Sequence, residues 1–200
     1  MNLAALRRFT ERTKRDRCEL CGADLIAEHE HLVEPLKGKM ICACGACAIL
    51  FDAPAGNRYR RVPRDSEFLT GFQMSDALWD KFEIPIGLAF FLKSTLANKV
   101  VAFYPSPAGP VESLLVLDAW QELAATNPVI EAIEPDVEAL LINRVKGARQ
   151  CFRAPIDKCY GLCGLIRMHW RGFSGGTEVW DAVAAFFDEL KRTSVVQTHD

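Results

Sequence analysis

The segments CELCG (residues 18–22) and CGAC (residues 44–47) decide how the N-terminal part of the chain folds. Each places two cysteines with two residues between them, a spacing typical of a tight turn that directs both sulfurs to one point. Two such turns complete a tetrahedron of sulfurs around an ion such as Zn²⁺. Gly22 and Gly45 supply the permissive backbone that these turns need. We therefore predict one metal site in a small zinc-ribbon or treble-clef-like module, with the ligands Cys18, Cys21, Cys44 and Cys47.

Cysteine usage in the whole chain supports metal binding over disulfide bonding. Five of the eight cysteines fall between residues 18 and 47, and no export signal precedes them. Cytosolic reductants keep thiols free, so such a cluster in a cytoplasmic protein points to a metal. Zinc is the preferred ion. Iron is the alternative, because four thiolates from two such turns also form a rubredoxin-type centre, and sulfur geometry does not separate the two metals.

Three further residues near these turns leave the ligand set open. The run Cys42-Ala43-Cys44 offers one thiol more than the second turn needs, so Cys42 is either a packing residue or a replacement for Cys44. His29 and His31 would share one face of a strand. They are alternative zinc ligands, ligands of a second, catalytic metal, or exposed loop histidines.

A nuclease of the HNH type is a less favoured interpretation of these histidines. Such nucleases combine paired cysteines with a histidine-bearing strand, and HEHLVEP (residues 29–35) resembles that strand. They also need a histidine on the following helix to hold the catalytic metal. No histidine occurs between Cys47 and His169, which argues against this activity.

The rest of the chain predicts a larger α+β domain. A linker rich in Pro, Gly and Arg (residues 53–65) separates a basic helix and cysteine module, residues 1–56, from residues 57–200. The short connections between apolar runs favour antiparallel hairpins over a doubly wound sheet. The predicted elements are a helix at 75–82 capped by Ser75, hairpins at 84–107 and 137–154, a helix opened by Asp118 and closed by Asn127-Pro128, a rigid loop at 104–110, and two C-terminal helices.

Composition gives no general reason to expect nucleic acid or membrane as a partner. The 200 residues carry a formal net charge of −2, and no apolar run reaches the length of a membrane helix. The first 67 residues hold 12 basic and 10 acidic side chains, too small a surplus for a nucleic-acid groove. We expect a soluble, cytoplasmic protein.

The C-terminal domain offers no catalytic set that the sequence alone can assemble. Cys159 and Cys163 lie four residues apart on one helical face with Leu162 and Ile166, a pattern that favours core packing over metal binding. The chain is therefore better interpreted as a non-catalytic binding protein than as an enzyme.

Several segments also resemble an uncharacterised bacterial family of about 200-residue proteins. The matching segments are CELCGA, CACGACAILFD, RYRRVP, IPIGLAFFLKS, VVAFYPSPAG, LDAWQELAATNP, PDVEALLINR and WRGFSGG. Members of that family are typically encoded beside high-affinity, oxygen-tolerant [NiFe] uptake hydrogenases. The resemblance implies an accessory role in hydrogenase maturation, assembly or electron transfer, with a hydrogenase subunit or maturation factor as partner. Tyr104, Trp120 and Trp170 are candidate anchors if they are exposed. The resemblance implies no catalytic residues.

Overall fold

The computed structural model describes residues 16–52, 58–114, 117–172 and 175–198. The chain divides into two compact units, Met1–Arg61 and Val62–Asp200. The predicted basic helix, apart from its last two residues, lies outside the described residues, as does the predicted boundary near residue 56.

The N-terminal unit is built on a three-stranded antiparallel sheet in the order β2-β1-β3. A short 3₁₀ helix, Pro35–Lys37, and Gly38 in the left-handed conformation (φ 59°) turn the chain between the first two strands. The elements are β1 (Glu30–Glu34), β2 (Lys39–Ala43), α1 (Gly45–Phe51) and β3 (Arg60–Arg61).

The core of this unit is small. Leu32 of β1 and Ile41 of β2 are directly opposed in the strand register and fully buried. They pack with Ala43, Ala48 and two cysteines, Cys18 and Cys47. So small an apolar cluster stabilises a fold weakly, because a domain of this size buries only a modest fraction of its surface.

Two arginines of the predicted linker pair with acids of the same unit. Arg58 Nε lies 2.7 Å from Glu34 Oε1, and Arg61 Nε lies 2.9 Å from Glu30 Oε2. The two ion pairs join Arg58 and Arg61 of the linker to β1. These guanidinium groups are therefore already paired within the unit.

The C-terminal unit contains a seven-stranded sheet in the order β10-β4-β9-β8-β5-β6-β7. Its pairs are antiparallel except for β10 with β4, which is parallel. Strands and helices together confirm the predicted α+β class with antiparallel hairpins and two C-terminal helices. The strands are β4 (Glu67–Thr70), β5 (Leu88–Ser94), β6 (Lys99–Ser106), β7 (Gly109–Ser113), β8 (Glu138–Asn143), β9 (Gln150–Pro155) and β10 (Val195–Thr198). The helices are α2 (Asp76–Asp80), α3 (Leu117–Thr126), α4 (Ile156–His169) and α5 (Gly176–Thr193), with 3₁₀ helices at Pro128–Ala132 and Val145–Gly147.

The unbroken apolar run of β5 reflects burial on both faces of the sheet. Phe91 packs against Phe82 and Trp120 on the face covered by α2 and α3. Phe90, its neighbour in sequence, points to the opposite face and contacts Tyr160 of α4. Successive side chains of a strand point to opposite faces, so a strand covered on both sides is apolar throughout.

Both predicted hairpins are present, and two of the three predicted helix-end signals are observed. Ser75 caps α2 by accepting a hydrogen bond from the Leu78 amide at 3.1 Å. Helix α3 begins at Leu117, so Asp118 lies in its first turn instead of preceding the helix as predicted. Asn127 ends the helix and donates to the Leu123 carbonyl at 2.9 Å.

The predicted rigid loop at residues 104–110 is wrong: these residues form the end of β6, a tight turn and the start of β7. Two prolines, Pro105 and Pro110, lie opposite each other in this pair. Proline removes a hydrogen-bond donor and is accepted in sheets mainly on edge strands, and β7 is such an edge. The edge position explains Pro110, whereas Pro105 lies on β6 beyond Phe103, the last residue of that strand in the register with β5.

None of the helices in the described part of the chain combines the length and the apolar character that crossing a bilayer requires.

Candidate metal centre

The first cysteine pair lies on a tight turn before β1. The Cys18 amide donates to the Ala23 carbonyl and the Gly22 amide donates to the Cys18 carbonyl, both at 2.8 Å. Gly22 has φ 77°, a conformation that glycine adopts without steric cost, as the sequence predicted. The turn therefore holds Cys18 and Cys21 through backbone hydrogen bonds.

Glu19 attaches this turn to β2. Its amide donates to the Cys42 carbonyl at 2.9 Å, and its carboxylate accepts from the Cys42 amide at 3.0 Å and from Lys39 Nζ at 2.8 Å. The bond from Lys39 is the main reason that the pKa of Glu19 lies below its usual value. The first cysteine pair is in this way fixed to the strand that leads to the second pair.

The second cysteine pair lies at the start of α1. Cys44 is the N-cap residue, and its sulfur accepts a hydrogen bond from the Cys47 amide at 3.4 Å. Gly45 is the first helical residue and has no positive φ, so the expectation that this turn needs its special backbone freedom is wrong. A helical turn, which any residue can adopt, brings the two sulfurs together.

The four sulfurs converge on one point. They all lie within 4.8 Å of one another, and Cys21 Sγ is 3.7 Å from Cys44 Sγ. Four sulfurs placed about 2.3 Å from a tetrahedral zinc ion are separated by about 3.8 Å. Cys18 and Cys47 are buried, whereas Cys21 is exposed. The cluster can therefore bind a metal ion near the protein surface.

The backbone around the cluster favours thiolate over thiol at one position. Burial acts to raise the pKa of Cys18, but hydrogen bonds from the backbone of Cys44, Cys21 and Leu20 outweigh it and lower the pKa to about 6. At Cys47, burial and the neighbouring sulfurs raise the pKa instead. Metal ligation requires deprotonated cysteines, and the lowered pKa of Cys18 favours that form.

Three residues whose metal-binding role the sequence did not settle lie outside the four-sulfur cluster. His29, His31 and Cys42 form a second group, whose ligand atoms lie within 4.8 Å of one another.

Cys159 and Cys163 are buried in the C-terminal unit, and burial raises the pKa of each thiol. They show the core packing that their helical spacing indicates.

The C-terminal unit holds buried charges that sequence reasoning missed. Arg153 Nη2 lies 2.9 Å from Glu67 Oε2, and Arg153 Nε lies 3.7 Å from Glu138 Oε1. Burial is the main cause of the raised pKa of Glu138. The three side chains connect the neighbouring strands β4, β9 and β8, and only this strand order, which is not apparent in the sequence, brings them together.

A cleft of about 340 Å³ also lies in the C-terminal unit, lined by residues 69–73 and 126–129. None of these lining residues is titratable. Asn127 uses its side-chain amide to donate to the Gln73 and Leu123 carbonyls and accepts from the Gln73 amide at 2.7 Å. The Asn127 amide thus serves the structure, and the residues that line the cleft provide no titratable acid or base.

Fold and site together define an α+β protein with a four-cysteine cluster able to bind a metal ion. In comparison with known families, residues 17–194 match a family of unknown function (DUF5947). The chain belongs to this family. No curated protein and no solved structure matches the chain.

Proposed function

We propose that the protein is a non-catalytic, zinc-binding accessory protein that acts through protein–protein contacts. The observation that carries this proposal is the four-sulfur cluster at the start of α1, a helix whose last turn exposes apolar side chains. In this proposal the metal shapes a surface, and the surface binds the partner.

A structural role for zinc follows from the size of the N-terminal core. Its six buried residues include Cys18 and Cys47, which are themselves candidate ligands. Modules of about 40 residues usually need a metal or disulfides to fold. The succession of cysteine turn, hairpin and cysteine-bearing helix fits a treble-clef module better than a ribbon, because a helical turn holds the second pair. We assign zinc to this site as its structural ion.

The metal assignment is tested by the metal content and visible absorbance of protein purified under reducing conditions. We expect a colourless protein containing zinc, and loss of the ion bound by the four sulfurs in Cys18→Ser, because three of the four thiolates do not close a structural zinc site. Stoichiometric iron with a reducible visible band would overturn the zinc assignment. It would favour the alternative of a rubredoxin-like electron carrier, for which the exposed Cys21 offers a surface edge.

The surface expected to bind the partner lies on α1. Ile49 and Leu50 are 71% and 72% exposed, although both side chains are entirely apolar. Consecutive large apolar side chains on the surface are typical of interaction sites. Tyr104, Trp120 and Trp170, the anchors considered from sequence, are only half-exposed, and Trp120 stacks on the core residue Phe91. Ile49 and Leu50 are therefore the better anchor candidates.

The proposed partner is a subunit or maturation factor of a [NiFe] hydrogenase. The support for this choice is the sequence resemblance to proteins encoded beside such hydrogenases. The role fits an exposed apolar helix on a metal-stabilised module. An HNH-type nuclease is less well supported, since α1 contains no histidine.

Binding of purified hydrogenase subunits and maturation factors, measured by titration calorimetry, tests this function. We expect one of them to bind the zinc-loaded chain, and the double variant Ile49→Ser/Leu50→Ser to weaken binding at least tenfold. Burial of each such side chain is worth about 1.5–3 kcal/mol, and tenfold corresponds to about 1.4 kcal/mol. The matched control is Leu96→Ser/Leu114→Ser, which alters two exposed leucines of the other unit. Equal weakening in both double variants, or no binding by any candidate, would contradict the proposal.

A further inference from the structure

The second ligand group lies on the hairpin of the N-terminal unit. His31 of β1 is directly opposite Cys42 of β2 in the strand register. His29 precedes β1, and its ring centroid lies 4.8 Å from that of His31. One nitrogen of each ring and the Cys42 sulfur lie within 4.8 Å of one another. Two imidazoles and a thiol therefore converge from both strands.

The hydrogen bonding of His29 prepares its ring for a metal. Its Nδ1 lies 2.9 Å from the Ile26 carbonyl oxygen, which can only accept, so Nδ1 carries the proton. The lone pair is then on Nε2, and this atom is buried without a hydrogen-bond partner. Metal-binding histidines are commonly oriented by this kind of bond from the other ring nitrogen to a backbone carbonyl.

The unpartnered nitrogen is the independent observation that points to a ligand. A buried acceptor without a partner destabilises the folded state, so native structures rarely contain one. At Nε2 of His29, a metal ion held also by His31 and Cys42 would remove that cost. A packing role for Cys42 alone gives no account of this nitrogen.

We propose that His29, His31 and Cys42 form a second metal site, distinct from the four-sulfur cluster, for a divalent transition-metal ion such as Zn²⁺. Three protein ligands of the imidazole and thiolate type leave the fourth position of a tetrahedral ion open. That position would accept water or a donor atom from a partner. Cys42 and Cys44 serve different ions, with only Ala43 between them.

The test is the number of zinc ions bound by the reduced full chain, measured by native mass spectrometry during titration with Zn²⁺. We expect the wild-type chain to bind about two ions, since each site takes one. His29→Ala and Cys42→Ala should each bind about one, and His169→Ala, which alters a histidine of the other unit, should still bind about two. Retention of the first ion in the first two variants shows that the four-sulfur cluster is intact.

A wild-type chain that binds a single zinc ion would overturn the proposal. So would a second ion that persists in both His29→Ala and Cys42→Ala. If either variant loses both ions, X-ray absorption of the cobalt-loaded wild-type chain provides the test. This measurement distinguishes nitrogen from sulfur ligands without any substitution. Imidazole nitrogens around Co²⁺ support the second site, and sulfur ligands alone overturn it.

Discussion

Removal of the metal from the four-sulfur cluster is expected to unfold the N-terminal unit and leave the C-terminal unit folded. Zinc bound to modules of this kind contributes about 10–16 kcal/mol of apparent binding free energy, most of which is folding free energy. The buried apolar residues of this unit number too few to replace it. We therefore expect Cys18→Ser, or a strong chelator, to abolish the hydrogen-exchange protection of β1 and β2.

The C-terminal unit has a separate reporter, because all four tryptophans lie after Val62. Tryptophan fluorescence should therefore change little when the metal is removed. The matched control is Leu36→Ser, which alters an exposed residue of the same hairpin outside both groups of candidate ligands and should retain protection in β1 and β2. Protection that survives in Cys18→Ser would show that the module folds without its metal.

The second large effect is expected for Phe91→Ala in the C-terminal unit. Phe91 is 1% exposed, and its ring centroid lies 5.1 Å from that of Phe82 and 5.3 Å from that of Trp120. Replacing a fully buried phenylalanine by alanine loses transfer free energy and leaves a cavity, at a cost of about 3–5 kcal/mol. We expect the free energy of unfolding, measured in urea by tryptophan fluorescence, to fall by this amount.

Leu96→Ala is the control for this measurement. Leu96 lies in the turn between β5 and β6 and is 58% exposed, so its truncation should change the unfolding free energy by less than about 0.5 kcal/mol. A loss below about 1 kcal/mol in Phe91→Ala would mean that the surrounding side chains close the cavity. Strand β5 would then contribute less to the free energy of unfolding than its burial indicates.

The elements that the sequence predicted well are those determined by local signals. The hairpins of β5 with β6 and of β8 with β9 follow from apolar runs joined by short polar turns. The Ser75 cap and the Asn127-Pro128 helix end depend on one or two residues each. Each cysteine pair is likewise held by its own local turn, whereas the convergence of the two pairs also depends on the attachment of Glu19 to β2.

The elements that were missed depend on partners distant in the chain. Strand β10 is exposed at Val195 and Val196 and is defined by its parallel pairing with β4, more than 100 residues earlier. The juxtaposition of His31 and Cys42 likewise depends on the hairpin register. Gly38, with its positive φ, is the local signal that would have located the turn and hence this register.

The paired prolines at the β6–β7 turn affect how readily molecules of the protein associate through the edge of the sheet. A free strand edge presents unpaired amide and carbonyl groups to which another chain can add its own strand. Pro110 has no amide hydrogen, and the exposed Glu112 adds a charge along the same strand. Both features hinder strand addition at this end of the sheet. The β7 edge of the sheet therefore has little tendency to pair with a strand of another molecule.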